Sequence, residues 1–149
     1  MRPNVIGFMK KLTLILSFLL LTTCGSDDTV NRCNFLLNVG VNTSLNLNLP
    51  EFSELMFTST VRYIPNQGNA GIYVINVGNN MFRAFDAADP NHAPEPCSLL
   101  QLNGVDVTCG CGDENAYSLF TGQSIGDPLP CTLREYRTTL SGANLVISN

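Results

Sequence analysis

Residues 99–107 read Leu-Leu-Gln-Leu-Asn-Gly-Val-Asp-Val, two apolar half-strands around an Asn-Gly pair. Asn-Gly supplies the two positive-φ residues of a tight turn whose twist matches that of paired strands. The stretch is therefore expected to close a hairpin at Asn103-Gly104. One loop precedes it, Asp86-Ala87-Ala88-Asp89-Pro90-Asn91-His92-Ala93-Pro94-Glu95-Pro96-Cys97, and a second follows, Thr108-Cys109-Gly110-Cys111-Gly112. Pairing of the half-strands brings these two loops together in space. That is the layout of a metal-loop domain, yet His92 is the only histidine in 149 residues.

The rest of the chain reads as all-β. Ser44 to Leu49 alternates with period two, as a half-buried strand does. Asn34 to Val41 is a weaker apolar run before it. Pro50 to Leu55 suits one helical turn, with Pro50 at its first position. Strands are expected over Thr58–Ile64, Gly71–Val77 and Met81–Asp86, the last two joined by Gly78-Asn79-Asn80. Ala116–Phe120, Leu133–Leu140 and Asn144–Ile147 follow, with a Gly/Pro-rich turn over Thr121–Pro130. Short strands with turn chemistry between them suggest a β-sandwich or small barrel of antiparallel strands.

The N-terminus gives an address. Lys10 and Lys11 precede the apolar run Leu12–Leu21, then Thr22-Thr23-Cys24. A basic segment before a run this short is a secretory signal; a spanning helix needs about 20 apolar residues. Leu21-Thr22-Thr23-Cys24 resembles the lipobox of bacterial lipoproteins, with Thr23 where a smaller residue is usual. The resemblance implies a signal peptide over 1–23, lipidation of Cys24 and a lipid anchor, which holds stably when it carries more than one acyl chain. Gly25-Ser26-Asp27-Asp28 opens an acidic tether over 24–32 and is similar to outer-membrane sorting stretches. The expected location is therefore the outer membrane, on its surface or periplasmic face. Met9 is a second candidate start.

From Cys24 onward 126 residues remain, enough for one domain with a core, here 33–149. Three of the eight basic residues leave with the signal, so five arginines face twelve acids and no lysine remains. That balance excludes nucleic acid as a partner, since such binding needs a basic face. Beside Cys24 there are five cysteines, Cys33, Cys97, Cys109, Cys111 and Cys131. Disulfides persist outside the cytoplasm, and an odd number leaves one thiol over.

Residues 71–148 resemble the Rieske-type 2Fe-2S domain, in particular its small ferredoxin-like members. Met81-Phe82-Arg83-Ala84-Phe85-Asp86 is similar to the strand entering the first cluster loop, and Pro90-Asn91-His92 to that loop. Val107-Thr108-Cys109 resembles the entry to the second loop, and Tyr117-Ser118-Leu119-Phe120-Thr121-Gly122 the strand and turn after it. Leu133-Arg134-Glu135-Tyr136 and Leu145-Val146-Ile147 resemble the closing strands. Asn46-Leu47-Asn48-Leu49-Pro50 also looks like small bacterial lipoproteins of this kind. The resemblance implies a Rieske-like β fold with two apposed loops. It also implies Cys-x-His in loop one and Cys-x-x-His in loop two, two cysteines on one iron and two histidines on the other. Here Asp89 stands near the first cysteine position, His92 follows three residues later, and Gly112 occupies the second histidine position. One histidine cannot build a two-histidine iron within one subunit.

Two readings follow. In the first, no cofactor binds, the cluster has been lost, and the protein is a non-catalytic structural or binding module in the envelope with an unidentified protein partner. Its loops are then cross-linked from Cys97 to Cys109 or Cys111, and by elimination Cys33 and Cys131 form a second bridge. In the alternative, an electron-transfer protein holds a 2Fe-2S cluster through His92, Cys97, Cys109 and Cys111. Cys109 and Cys111 are only two residues apart, an awkward spacing for chelating one metal.

Other motifs carry less. Gly122-Gln123-Ser124-Ile125-Gly126 fits a serine-hydrolase pattern, but Asp127-Pro128-Leu129-Pro130 forbids the helix it needs and no histidine follows. A Cys–His nucleophile pair is disfavoured by Asp89, Glu95, Asp113 and Glu114, which raise thiol pKa values. Those acids lack calcium-loop spacing, and the sequon Asn42-Thr43-Ser44 has no role in a bacterial lipoprotein. No catalytic constellation stands out, so the chain is expected not to be an enzyme.

Overall fold

A computed structural model describes residues 33–149; the expected signal, Cys24 and the tether lie outside the described residues. The described chain is all-β, as expected, apart from two short 3-10 turns at Ser53–Met56 and Pro96–Ser98. No helix among the described residues is long and apolar enough to cross a membrane. The strands are β1 (Asn42–Asn46), β2 (Val61–Ile64), β3 (Ile72–Gly78), β4 (Met81–Asp86), β5 (Leu100–Asn103), β6 (Asp106–Cys109), β7 (Ala116–Ser118), β8 (Glu135–Ser141) and β9 (Asn144–Ser148). They form a six-stranded sheet in the order β1-β9-β8-β4-β3-β2 and a three-stranded sheet in the order β5-β6-β7, antiparallel throughout.

Side chains of a strand alternate between faces, and β3 uses both for burial. Ile72 and Val74 join Leu45, Phe82, Ala84, Leu145 and Ile147 in a core enclosed by the large sheet. Tyr73 and Ile75 face the other way and pack with Phe85, Leu100, Val107, Tyr117 and Leu133, beneath the small sheet. A fully buried Leu or Ile contributes about 1.5–3 kcal/mol, so either core holds β3 and β4 firmly. The Tyr73 hydroxyl donates to Leu100 O at 2.7 Å and stitches one sheet to the other. The loop-bearing hairpin is thus fixed to a rigid platform.

Local chemistry explains the boundaries. β1 stops at Asn46, short of the strand expected to Leu49. The Asn46 side chain accepts from Asn48 N at 3.0 Å and its carbonyl accepts from Leu49 N at 3.0 Å, so it turns the chain. The β3–β4 hairpin has Asn79 and Asn80 both at positive φ, as a type I′ turn requires. The β5–β6 hairpin differs by one residue from expectation. Asn103 pairs with Asp106, so the turn residues are Gly104 and Val105, and only Gly104 has positive φ. Gly at the first turn position with an ordinary residue second is the II′ pattern, and Asn103 ends the strand instead.

Candidate functional site

Both loops leave the end of the β5–β6 hairpin opposite its turn. There Leu100 pairs with Cys109, and Ala88 bridges to Leu99 as loop one returns. Loop one is closed by Asp89 N donating to Ser98 O at 3.0 Å and by Glu95 N donating to the Ser98 hydroxyl at 3.0 Å. Gly110 N donates to Cys97 O at 3.0 Å and joins the two loops through their backbones. A disulfide joins Cys97 to Cys111 and reinforces that contact, with Cα atoms 5.0 Å apart. A second disulfide joins Cys33 to Cys131, 98 residues apart in sequence. Cys109 is left as a buried thiol.

At the centre of the loops is Asp89, 1 % exposed. Its Oδ1 accepts from the Tyr117 hydroxyl at 2.5 Å and from Asn91 N at 2.9 Å. Its Oδ2 accepts from Asn115 Nδ2 at 2.9 Å. Buried carboxyl groups are costly unless hydrogen-bonded, and three donors meet that need, one from loop one itself and two from the stretch that enters β7. Asn91 extends the network: its Nδ2 reaches the Tyr117 oxygen at 2.8 Å and Cys131 O at 2.7 Å, and its Oδ1 accepts from Cys131 N at 3.0 Å. A parallel arrangement anchors the start of the loop. Asp86 Oδ2 accepts from the Tyr136 hydroxyl at 2.6 Å and from Asn69 N and Nδ2, both at 2.8 Å.

These surroundings set the protonation of the neighbours. Burial pushes the Cys109 thiol up to about 12, and the adjacent Asp89 adds to the effect. Burial, and then Asp89, also raises the Tyr117 phenol; burial and Asp86 do the same for Tyr136. His92 lies partly exposed at the rim. Its Nδ1 donates to Ala93 O at 2.7 Å, and this bond chiefly raises its pKa, with Asp113, Glu95 and Asp89 adding to it.

The residues of the alternative ligand set are close but not equivalent. His92 Nδ1 is 3.8 Å from Cys111 Sγ, but Cys97 and Cys111 are bonded to each other. Cys109 takes part in neither disulfide, and its sulfur sits 3.9 Å from Cys97 O. Gly112 has no side-chain donor to offer. With the loop disulfide intact, these side chains do not fit a 2Fe-2S cluster. Two smaller donor groups do converge: His92, Cys111 and Asp113, and Asp89, Cys109 and Asp113, each set within 4.8 Å.

No family model and no curated protein matches the sequence. Three solved structures are similar in fold. One is a chain of the complex of reduced oxygenase and oxidized ferredoxin in carbazole 1,9a-dioxygenase, at TM-score 0.46 and 16% identity over 75% of this chain and 94% of that one. Another is a putative NADH-dependent nitrite reductase small subunit from Mycobacterium tuberculosis, at TM-score 0.45 and 14% identity over 75% and 97%. The third is a putative nitrite reductase NADPH (small subunit) oxidoreductase protein, at TM-score 0.42 and 17% identity over 70% and 97%.

Asn91, Asn115 and Tyr117 were not singled out as functional from sequence. The signal available is an aspartate flanked by alanine and proline, with an apolar-facing tyrosine on a short strand after the second loop. The hydrolase-like Ser124 proves structural: its hydroxyl accepts from Leu129 N at 3.2 Å and shapes the turn.

Proposed function

We propose that the chain is a bacterial envelope lipoprotein whose Rieske-like domain has given up its cluster and serves as a non-catalytic structural or binding module. The observation that carries this reading is the three-donor cage around Asp89, near the position where the resemblance puts a cluster cysteine. A carboxyl group held by Tyr117, Asn91 and Asn115 fills the space between the loops with a self-satisfied network. The Cys97–Cys111 disulfide does the cross-linking that a metal centre does in a domain with two ligand loops.

The second bridge gives the anchor a mechanical role. Cys33 is nine residues beyond Cys24, and its partner Cys131 is hydrogen-bonded on both its N–H and its carbonyl to Asn91 in loop one. Lipid at Cys24 would thus be covalently continuous with the chain that the Cys33–Cys131 disulfide fastens beside loop one.

Two measurements test the two halves of the proposal. Fatty-acid labelling of cells should mark the wild-type chain and not Cys24→Ala; equal labelling overturns the anchor. Iron and acid-labile sulfide in the full chain, isolated anaerobically, test the loss of the cluster.

A further inference from the structure

The Cys97–Cys111 disulfide ends in a ring of further donors that the cross-linking role does not use. His92 Nδ1 lies 3.8 Å from Cys111 Sγ, and the Asp113 carboxyl lies within 4.8 Å of both. On the other side, Glu95 Oε2 is 3.8 Å from Cys97 Sγ. Cys111 Sγ, an imidazole nitrogen of His92 and a carboxyl oxygen of Asp113 thus lie within 4.8 Å of one another at the rim of the loops, and Cys97 Sγ is bonded to the first of them. We propose that reduction of this disulfide opens a mononuclear, tetrahedral Zn2+ site formed by Cys97, Cys111, His92 and Asp113.

The geometry supports that number and kind of ligands. With Zn–S near 2.3 Å and Zn–N near 2.0 Å, a tetrahedral site needs an S···N edge of about 3.5 Å and an S···S edge of about 3.8 Å. The His92–Cys111 distance is already close to the first value. The second requires the sulfurs to separate by rotation of their side chains, and the loops need not move to allow it. Gly110 N to Cys97 O, Ala88 to Leu99, and the Asp89 cage hold their backbones without help from the disulfide. Cys109 stays out of the site, since it is buried with its sulfur turned to Cys97 O and lies outside the His92–Cys111–Asp113 group. The site therefore takes one ion.

The chemistry balances. A dithiol transfers two electrons and two protons to the Cys97–Cys111 bond, becomes a disulfide itself, and leaves two thiols. Zn2+ then displaces both thiol protons, and His92 passes to its Nε2–H tautomer and turns its Nδ1 from Ala93 O to the ion. Two thiolates, the Asp113 carboxylate and nearby Glu95 make the locality negative, which favours a divalent cation.

The test uses the full chain in detergent, with zinc alone as the probe and a phosphine as reductant. The phosphine takes up an oxygen from water and leaves the two thiols. Zinc per chain is measured after gel filtration, and Co2+ substitution reports ligand type through its thiolate charge-transfer and tetrahedral bands. The expected result is one zinc per reduced chain beyond any held by the oxidised chain. His92→Gln, a rim substitution that leaves the cage intact, should weaken binding about 10-fold or more, the scale seen when even a supporting residue of a zinc site is lost. Cys111→Ser should weaken it further. The proposal is overturned if oxidised and reduced chains bind alike, or if the reduced chain takes no zinc. It is equally overturned if both variants bind as the wild type does, which would place the ion elsewhere, for example on Cys33 and Cys131.

Discussion

The Tyr117 hydroxyl donates to Asp89 Oδ1 at 2.5 Å, and both residues are almost fully shielded from water. Tyr117 comes from the strand after loop two and Asp89 from loop one, so this bond ties the loops through their interior. The Cys97–Cys111 disulfide ties them at the rim. Asn115 and Asn91 complete the Asp89 cage. The interior tie is what distinguishes the proposed module from a cluster domain with damaged ligands.

Removing one donor from that cage leaves a buried acceptor short of a partner. Tyr117→Phe is expected to cost about 1–3 kcal/mol, the penalty for an unsatisfied buried polar group. Urea unfolding of the variant against wild type measures it. A change within a few tenths of a kcal/mol would show that water reaches Asp89.

Breaking the loop bridge should cost less than breaking the long one. In the chain-entropy account a loop of about 15 residues is worth roughly 3 kcal/mol and one of about 100 residues roughly 4.7 kcal/mol. The separations are 14 for Cys97–Cys111 and 98 for Cys33–Cys131. Paired Cys→Ala variants, Cys97→Ala with Cys111→Ala and Cys33→Ala with Cys131→Ala, compared by denaturant midpoint, should follow that order.

The buried thiol predicts an alkaline weakness. Cys109 keeps its proton in the folded state to about 12, above its ordinary value of 9.0. At pH between these values the unfolded chain binds fewer protons than the folded one, so stability falls as pH rises. Its contribution is complete below about pH 9 and is lost by about pH 12. Tyr117 and Tyr136 shift in the same direction and add to the loss. Stability measured from pH 8 to 11 should fall less steeply for Cys109→Ala than for wild type. In the native protein Cys109 should resist a thiol reagent at neutral pH and react after unfolding.

Gly68 faces the Asp86–Tyr136 pair. Its φ is +59°, and an added Cβ would lie 2.5 Å from Asp86 Oδ2 and 2.6 Å from the Tyr136 hydroxyl. Gly68→Ala should therefore lose about 1–3 kcal/mol from the left-handed backbone alone, with the contact adding to it. Thermal unfolding checks this, and an unchanged midpoint would contradict the packing described around Asp86.

Some of this was legible in the sequence. Met81–Asp86 is legible to the residue because the aromatics Phe82 and Phe85 stand between the Gly78-Asn79-Asn80 turn and the Asp89-Pro90 break. The Asn-Gly turn was placed one residue early, because Gly104 alone meets the need for positive φ and Asn103 is free to pair. In the sequence Asp89 stands out near an expected cysteine position and as one of four acids that raise thiol pKa values, not as the centre of a network. The bond from Asn91 N is local, but Asn115 and Tyr117 reach Asp89 from 26 and 28 residues away, and nothing near Asp89 in the sequence marks them. The choice between Cys109 and Cys111 as partner of Cys97 also lay beyond spacing. It depends on which sulfur the β5–β6 pairing leaves facing the core, and that is Cys109.

The most direct test of the central claim is the iron and acid-labile sulfide content of the full chain, purified without oxygen from iron-supplied cells, with its visible spectrum. The account predicts a colourless protein with neither iron nor sulfide in stoichiometric amount. Two irons and two sulfides per chain with a broad visible band would contradict it.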